Sequence, residues 1–399
     1  VYVNVQDWRA AARRRLPAPI WNYLEGGAGD ERTLARNSAA FADYELLPRV
    51  LVDISRVRLQ TRVLGADLSM PLFLSPTGMT RLFHHGRETA VARAAAKAGT
   101  YYSLSTVATT SLEDVAAAAD GPRLFQIYVF KDRGLTRELV ARCRAAGYRA
   151  LALTVDTPIA GNRERDRRTG MTIPPALTLR SLLSFATHPH WTLHYLLDRD
   201  FELKNVAHRA QSIAGRPVPL VEYISSQFDR TLTWKDAEWL AQEWGGPLAI
   251  KGVVHPEDVR HAADAGATAV MLSNHGGRQL DGAPAPLDCV AAARDAVGDR
   301  VELIVDGGVR RGADVLKALA LGANACSIGR PYLYALAAAG EAGVTALLAK
   351  FREEIERDLA LLGCADVAAV GPQHVRRLRT GQPLADVANS ADGHSRGTR

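Results

Sequence analysis

Eight short apolar runs, each followed by a polar or glycine-rich turn, recur between residues 72 and 328. They cover residues 72–75, 101–104, 124–129, 150–155, 248–251, 269–273, 302–305 and 325–328. Runs this short, flanked by turn formers, read as buried strands, and the alanine-rich stretches 88–98, 132–146, 256–265 and 312–321 carry helical periodicity. Alternating strand and helix requires a parallel sheet, because each helix carries the chain back to start the next strand in the same direction. Eight such units in about 260 residues imply an α/β fold, a (β/α)8 TIM barrel rather than an open sheet. With 399 residues, 47% of them hydrophobic, the chain has material for one such core.

The segments outside the repeat are expected to decorate a single domain over residues 1–370. Residues 1–47 read as an N-terminal helical segment, interrupted at Pro17 and broken at Glu25-Gly26-Gly27-Ala28-Gly29, which leaves Tyr23 beside a turn. The excursion after the fourth strand, residues 157–233, is far longer than an ordinary strand-to-helix loop and implies a lid or a surface-binding device. Its middle carries apolar and aromatic stretches at 177–185 and 191–197, with Arg180, Arg199, Lys204 and Arg209 nearby. Two expectations follow from that mix: an interfacial membrane contact, or burial of the same side chains at a subunit contact. Residues 343–362 read as an amphipathic closing helix, and residues 371–399, rich in Gly, Ser, Asp and Arg, as a mobile tail.

Charge and cysteine usage exclude several classes of function. Lys and Arg number 49 against 43 acidic residues, a net charge of +6 that suits small anions or an acidic lipid surface. No basic run interleaved with aromatics points to nucleic acid. Cys143, Cys289, Cys326 and Cys364 are far apart, so neither a disulfide framework nor a structural metal is expected, and a reducing cytoplasm is the simplest location. His188, His190 and His194 have no carboxylate or thiol partner in sequence, and no metal is assigned to them. No apolar stretch has signal-peptide or membrane-span character.

The residues that follow each strand carry the chemistry, because a barrel brings them to one mouth whatever their separation in sequence. They are Thr77, Gly78 and Met79; Ser105; Gln126 and Tyr128; Thr154 and Asp156; Lys251; Ser273, His275 and Arg278; Asp306, Gly308 and Arg310; and Gly329 and Arg330. His275 is a base that titrates near neutral pH, and Arg278 is a fixed cation. The Gly and Arg residues after strands 7 and 8 match the phosphate site of this fold, with backbone N–H groups, a helix N-terminus and two guanidinium groups. No G-x-G-x-x-G stands between a strand and a helix, so NAD is not implied.

The runs Phe125-Gln-Ile-Tyr128, Thr154-Val-Asp156-Thr-Pro, Lys251-Gly252, Ser273-Asn-His-Gly-Gly-Arg-Gln-Leu-Asp281 and Asp306-Gly-Gly-Val-Arg-Arg-Gly312 resemble those of the FMN-dependent L-2-hydroxy-acid oxidising enzymes. That family includes glycolate oxidase, quinone-linked L-lactate dehydrogenase and mandelate dehydrogenase. The resemblance runs from Tyr23 to about Gly363. It implies FMN as cofactor, a 2-hydroxy acid as substrate and a homotetramer as assembly. It implies that His275 takes a proton from the substrate, with Asp156 stabilising the imidazolium. Arg163 and Arg278 would hold the substrate carboxylate, and Tyr23 and Tyr128 would hydrogen-bond the carboxylate and hydroxyl. Lys251 would sit near N1 and O2 of the flavin, with Thr77, Gly78, Ser105, Gln126, Thr154 and Ser273 around the ring. Asp306 would hold the ribityl chain, and Gly308, Arg310, Gly329 and Arg330 the phosphate.

Where plant oxidases of the family carry Ala beside the flavin this chain has Gly78, and where they carry Trp over the pocket it has Val107. These departures imply a dehydrogenase that passes electrons to a quinone or other carrier, peripheral on the inner face of the cell membrane if the excursion binds lipid. The alternatives are an oxidase that uses oxygen and releases peroxide, or a non-catalytic flavin-binding barrel.

Overall fold

In the computed structural model, residues 2–171, 178–198, 201–209 and 227–378 are described. The eight apolar runs form the strands β1 (Leu72–Thr77), β2 (Tyr102–Ser105), β3 (Arg123–Ile127), β4 (Ala150–Thr154), β5 (Leu248–Val253), β6 (Ala269–Ser273), β7 (Glu302–Asp306) and β8 (Ala325–Ile328). They pair in chain order, all parallel, and β8 closes on β1 through Cys326 opposite Leu72 and Ser327 opposite Phe73. The outward faces of the strands and the surrounding helices form one apolar core. The barrel interior is a second, smaller one, with Phe73, Leu124, Ala152, Ala249, Met271 and Ile304.

A hairpin of Thr61–Val63 and Ala66–Leu68 plugs the N-terminal end of the barrel. Its Val63, Leu64 and Leu68 join the interior core, Tyr101 Oη donates to Leu64 O at 2.8 Å, and Leu64 N donates to Glu302 Oε2 at 2.7 Å. With that end sealed by side chains, polar groups collect at the opposite mouth.

The helices that concern the site are α1 (Val5–Arg15), α2 (Ala18–Glu25) and α3 (Arg32–Ala39) before the barrel, and α4 (Arg87–Lys97) after β1. The expectation of helix throughout residues 1–47 needs correction at Tyr44–Leu46. This segment is a strand antiparallel to Val375–Arg377. Residues 371–378, assigned to the mobile tail from composition, are likewise ordered against the body: His374 is buried and Arg376 pairs with Glu45 at 2.6 Å. Both errors have one cause, a pairing between chain segments more than 300 residues apart that no local pattern reveals. Residues 379–399 of the expected tail lie outside the described residues.

The closing helix also begins earlier than expected, running from Arg330 to Leu361 as α14. The helix kinks ahead of the expected stretch, with Ala339 at φ −152° and Gly340 at φ +60°. It is long and apolar enough to cross a membrane, but two thirds of its most apolar window (67%) is buried against the rest of the protein.

In the excursion after β4, α7 (Glu164–Thr169), α8 (Leu179–Ala186) and α9 (Pro189–Leu197) are described. The last of these docks on the loop after β1. Buried Arg81 donates to His194 O and Asp198 O at 2.7 and 2.9 Å, Arg87 pairs with Asp198 at 2.7 Å, and Trp191 Nε1 donates to Leu82 O at 2.8 Å. The outer faces of α8 and α9 leave Leu179, Leu182, Leu183, Leu193, Leu196 and Leu197 exposed, each by half or more. Parts of the aromatic stretches named above, including residue 177, and Arg199 lie outside the described residues.

Candidate active site

Asp306, the last residue of β7, gathers the polar groups of the open mouth. Its Oδ1 accepts from Ser75 Oγ at 2.6 Å and Ser327 Oγ at 2.8 Å. Its Oδ2 accepts from Ser273 Oγ at 2.8 Å and lies 2.9 Å from Lys251 Nζ. Five strands, β1, β5, β6, β7 and β8, therefore meet on one buried carboxylate. Burial alone would raise its pKa, but the Lys251 ammonium and the hydroxyls of Ser75 and Ser327 outweigh burial and bring it down to about 2. Burial works against the Lys251 cation too, and Asp306 and Asp156 more than compensate, so its pKa lies above the ordinary lysine value. Neither Ser75 nor Ser327 is among the site residues expected above. Their signal is a serine at the C-terminal end of an otherwise apolar strand.

Beyond β6 the chain turns sharply through His275, a left-handed residue at φ +58°, followed by Gly276 and Gly277 at +65° and +73°. The turn brings His275 Nδ1 to 2.9 Å from Asp156 Oδ1, across from β4. Burial pushes the Asp156 carboxyl up, yet facing His275 and Lys251 hold it below its ordinary pKa. Gly252 makes this approach feasible: at φ +105° it has no side chain, and a Cβ there would lie 2.5 Å from Asp156 Cγ. With Asp156 ionised, Nδ1 carries the imidazole proton and Nε2 keeps its lone pair.

Arg278 lies half-buried beside this pair. Its Nη1 donates to Tyr23 O at 2.7 Å and Gly26 O at 3.1 Å, and the guanidinium lies 4.9 Å from the centre of the Tyr23 ring. Arg163 flanks the same ring at 5.7 Å. Burial, with the repulsion of Arg163, lowers the Arg278 pKa to about 10. Among the described residues Arg278 has no carboxylate within ion-pair distance, so the site holds a half-buried positive charge without its counter-charge. Tyr128, at the end of β3, packs edge-on to Phe228 at 4.9 Å, and burial pushes its phenol pKa up. An apolar cavity edged by Met79, Val107, Ile159, Leu203 and Phe228 opens beside His275, Arg163 and Arg278. Gly78 and Val107, the two departures seen in sequence, touch each other: a Cβ at Gly78 would fall 2.5 Å from Val107 Cγ2.

A cavity runs from these residues to the ends of β7 and β8. Two buried polar atoms on its wall, Gln126 Nε2 and Thr154 Oγ1, have no hydrogen-bond partner among the described residues, and a buried polar atom of this kind calls for one from a ligand. Ser105 Oγ donates to Gln126 Oε1 at 2.9 Å and so aims that amide. Thr77 lines the same wall. At the far end stand Gly308, the Arg310 side chain and the N-terminus of α14, where Gly329 offers no side-chain cap and the first N–H groups remain for an anion.

The Arg330 guanidinium, which lines the same cavity, donates to Leu24 O, Gly26 O and Gly276 O at 3.0, 2.8 and 2.8 Å. Its side chain thus ties the N-terminal segment to the His275 loop, and Arg310 stands at the same end. The three histidines of the excursion also have structural partners. His194 stacks on His85 and His85 on His84, His190 meets His194 edge-on, and His188 Nδ1 lies 2.6 Å from Ser184 O. Among the described residues no group of three or more His, Cys, Asp or Glu is arranged to hold a metal ion.

The unpartnered amide and hydroxyl, the buried lysine and the anion-binding end fit a polar aromatic cofactor that ends in a phosphate, which FMN is. The fold and its mouth thus define a flavin-dependent oxidoreductase built on a (β/α)8 barrel. The chain belongs to the FMN-dependent dehydrogenase family, which it matches over residues 12–377. It is 45% identical to an L-lactate dehydrogenase of Caulobacter vibrioides over 368 residues, covering 92% of this chain and 96% of that one. It is 42% identical to glycolate oxidase 1 of Oryza sativa subsp. indica over 372 residues, covering 93% and 95%. The crystal structure of the monotopic membrane protein (S)-mandelate dehydrogenase superimposes with a TM-score of 0.89 at 38% identity, covering 94% of this chain and 99% of that one. The protein is an FMN-dependent enzyme that oxidises 2-hydroxy acids.

Proposed function

We propose that the protein oxidises an L-2-hydroxy acid with a side chain larger than that of glycolate, and that the electrons pass to a quinone or similar carrier. The observation that carries this reading is the His275–Asp156 pair beside Arg278, a half-buried cation without a counter-ion among the described residues, under an apolar wall. The substrate carboxylate supplies the missing charge at Arg278, with Arg163 as a second cation. Tyr23 and Tyr128 hydrogen-bond the carboxylate and the hydroxyl. His275 Nε2 takes the α-proton or the hydroxyl proton, and Asp156 steadies the imidazolium through Nδ1. FMN, when bound, accepts the two electrons that leave the hydroxy carbon. Thr77, Gly78, Ser105, Gln126, Thr154 and Ser273 would hold its ring, and Asp306 its ribityl chain. Gly308, Arg310 and the Gly329–Arg330 backbone would hold its phosphate. Lys251 is the buried cation available to negative charge on the ring. The apolar side chains Met79, Val107, Leu203 and Phe228 favour a lactate- or mandelate-like side chain.

The purified protein is expected to be yellow and to be bleached anaerobically by lactate, mandelate or a longer L-2-hydroxy acid, with the 2-oxo acid as product. Reoxidation by a quinone or dye is expected to be faster than by oxygen. Stoichiometric peroxide at a comparable rate would replace the dehydrogenase reading with an oxidase. A preparation that no 2-hydroxy acid reduces after FMN loading would overturn the substrate class.

The assembly proposed with this reading is a homotetramer, lying on the cytoplasmic side of a membrane. The exposed leucines of α8 and α9, with Arg180 on the same helix pair, support the membrane part. Flotation with anionic vesicles is expected for the parent protein and is expected to be lost in Leu182→Asp/Leu183→Asp. A parent protein that stays at the bottom of the gradient would leave α8 and α9 to a subunit contact.

A further inference from the structure

We propose that Asn37, on α3, is a positioning residue that couples placement of His275 to the glycine turn at the phosphate end. Asn37 is 3% exposed, and its amide exchanges two hydrogen bonds with that of Asn274, Nδ2 to Oδ1 at 2.8 Å and the reverse at 2.7 Å. Asn274 is the residue before His275. Its amide also donates to Pro284 O at 2.9 Å and accepts from Gly277 N at 3.0 Å, so one side chain spans the whole turn. The left-handed backbone of His275 is unfavourable for a residue with a Cβ and persists only where the surroundings impose it. Ser273 anchors the turn on the barrel side through Asp306, and Asn37 anchors it from outside.

The backbone of the same residue meets the other loop. A Cβ on Gly308 would lie 1.9 Å from Asn37 O, so the Gly307-Gly308 turn is seated directly on the end of α3. Ser38 Oγ donates to Gly308 O at 3.2 Å beside this contact. Elsewhere α3 holds the far end of the His275 loop, with Thr33 N donating to Asp281 Oδ1 at 2.8 Å. Asn37 thus touches the turn that carries the proposed base and the turn that borders the anion site, and a displacement at one is transmitted to the other through a rigid helix end.

The inference rests on the hydroxy-acid reading for one of its readouts only. Asn37→Leu removes both amide bonds and leaves Asn274 held only through Pro284 O and Gly277 N, and Asn37→Asp keeps the shape but removes the donor. Each apoprotein is titrated with FMN and with riboflavin, which lacks the phosphate. Each holoprotein is then followed anaerobically for flavin reduction per bound flavin across pH. The expected result is a narrowed preference for FMN over riboflavin, together with reduction slowed by about tenfold or more and a displaced pH profile. A folded variant in which only thermal stability falls, or in which only one of the two readouts moves, would overturn the coupling. If the leucine variant does not fold, the aspartate variant carries the same outcomes. A parent that no 2-hydroxy acid reduces would instead sink the functional reading. The second readout would then be the NMR titration of the His275 imidazole, with an unchanged titration counting against the coupling.

Discussion

Replacing His275 with alanine is expected to leave FMN bound and to slow its reduction by a 2-hydroxy acid by about 10²–10⁴-fold, the usual contribution of a positioned general base. The phosphate end and the Gln126–Thr154 wall do not touch this side chain, so the flavin absorption of the variant should match the parent. His275 sits at φ +58°, which alanine tolerates poorly, whereas asparagine adopts this region more readily. His275→Asn is therefore the companion variant, expected to fold as the parent does and to reduce equally slowly. Stopped-flow reduction under nitrogen measures both. Reduction within a few-fold of the parent in either variant would mean that the base lies elsewhere, and the pairing of His275 with Asp156 would then be only structural.

The His275 site was readable from sequence because each of its parts lies directly after a strand, and counting eight strands places all of those positions at one mouth. The same rule located Asp156, Lys251 and Arg278, which the structure brings around His275. What it missed depends on contacts between distant segments. Asn37 is an ordinary polar residue on a short helix, and nothing local marks its bond to Asn274. Gly252 stands in the sequence only as the neighbour of Lys251, whereas its lack of a Cβ is what admits Asp156. Arg330 follows its strand as expected, but nothing local shows that its side chain also reaches carbonyls of the N-terminal segment. Position relative to a strand is encoded locally; where a long side chain finds its partners is not.

The second large effect is expected at Lys251. Lys251→Met removes the one cation against Asp306 Oδ2, leaving a buried carboxylate with only the hydroxyls of Ser75, Ser273 and Ser327. Breaking a buried ion pair on one side commonly costs about 3–5 kcal/mol, so the apoprotein should unfold in urea at a visibly lower midpoint at neutral pH. The pH dependence separates charge burial from lost packing. In the parent the Asp306 pKa of about 2 lies below the unfolded value of about 3.9. Its ionisation therefore contributes stability above the unfolded pKa, and that contribution is lost as pH falls through the folded one. Without Lys251, burial dominates and the folded pKa rises above the unfolded value, which inverts the sign. The variant's deficit should be full at neutral pH and should shrink on acidification, as its carboxyl takes up a proton while the parent loses the benefit of its ion pair. Lys251→Met/Asp306→Asn should recover part of the loss at neutral pH, because no charge is left buried. A deficit that neither acidification nor the second substitution reduces would assign the role of Lys251 to packing, and the network on Asp306 would then have to be held by its three serines.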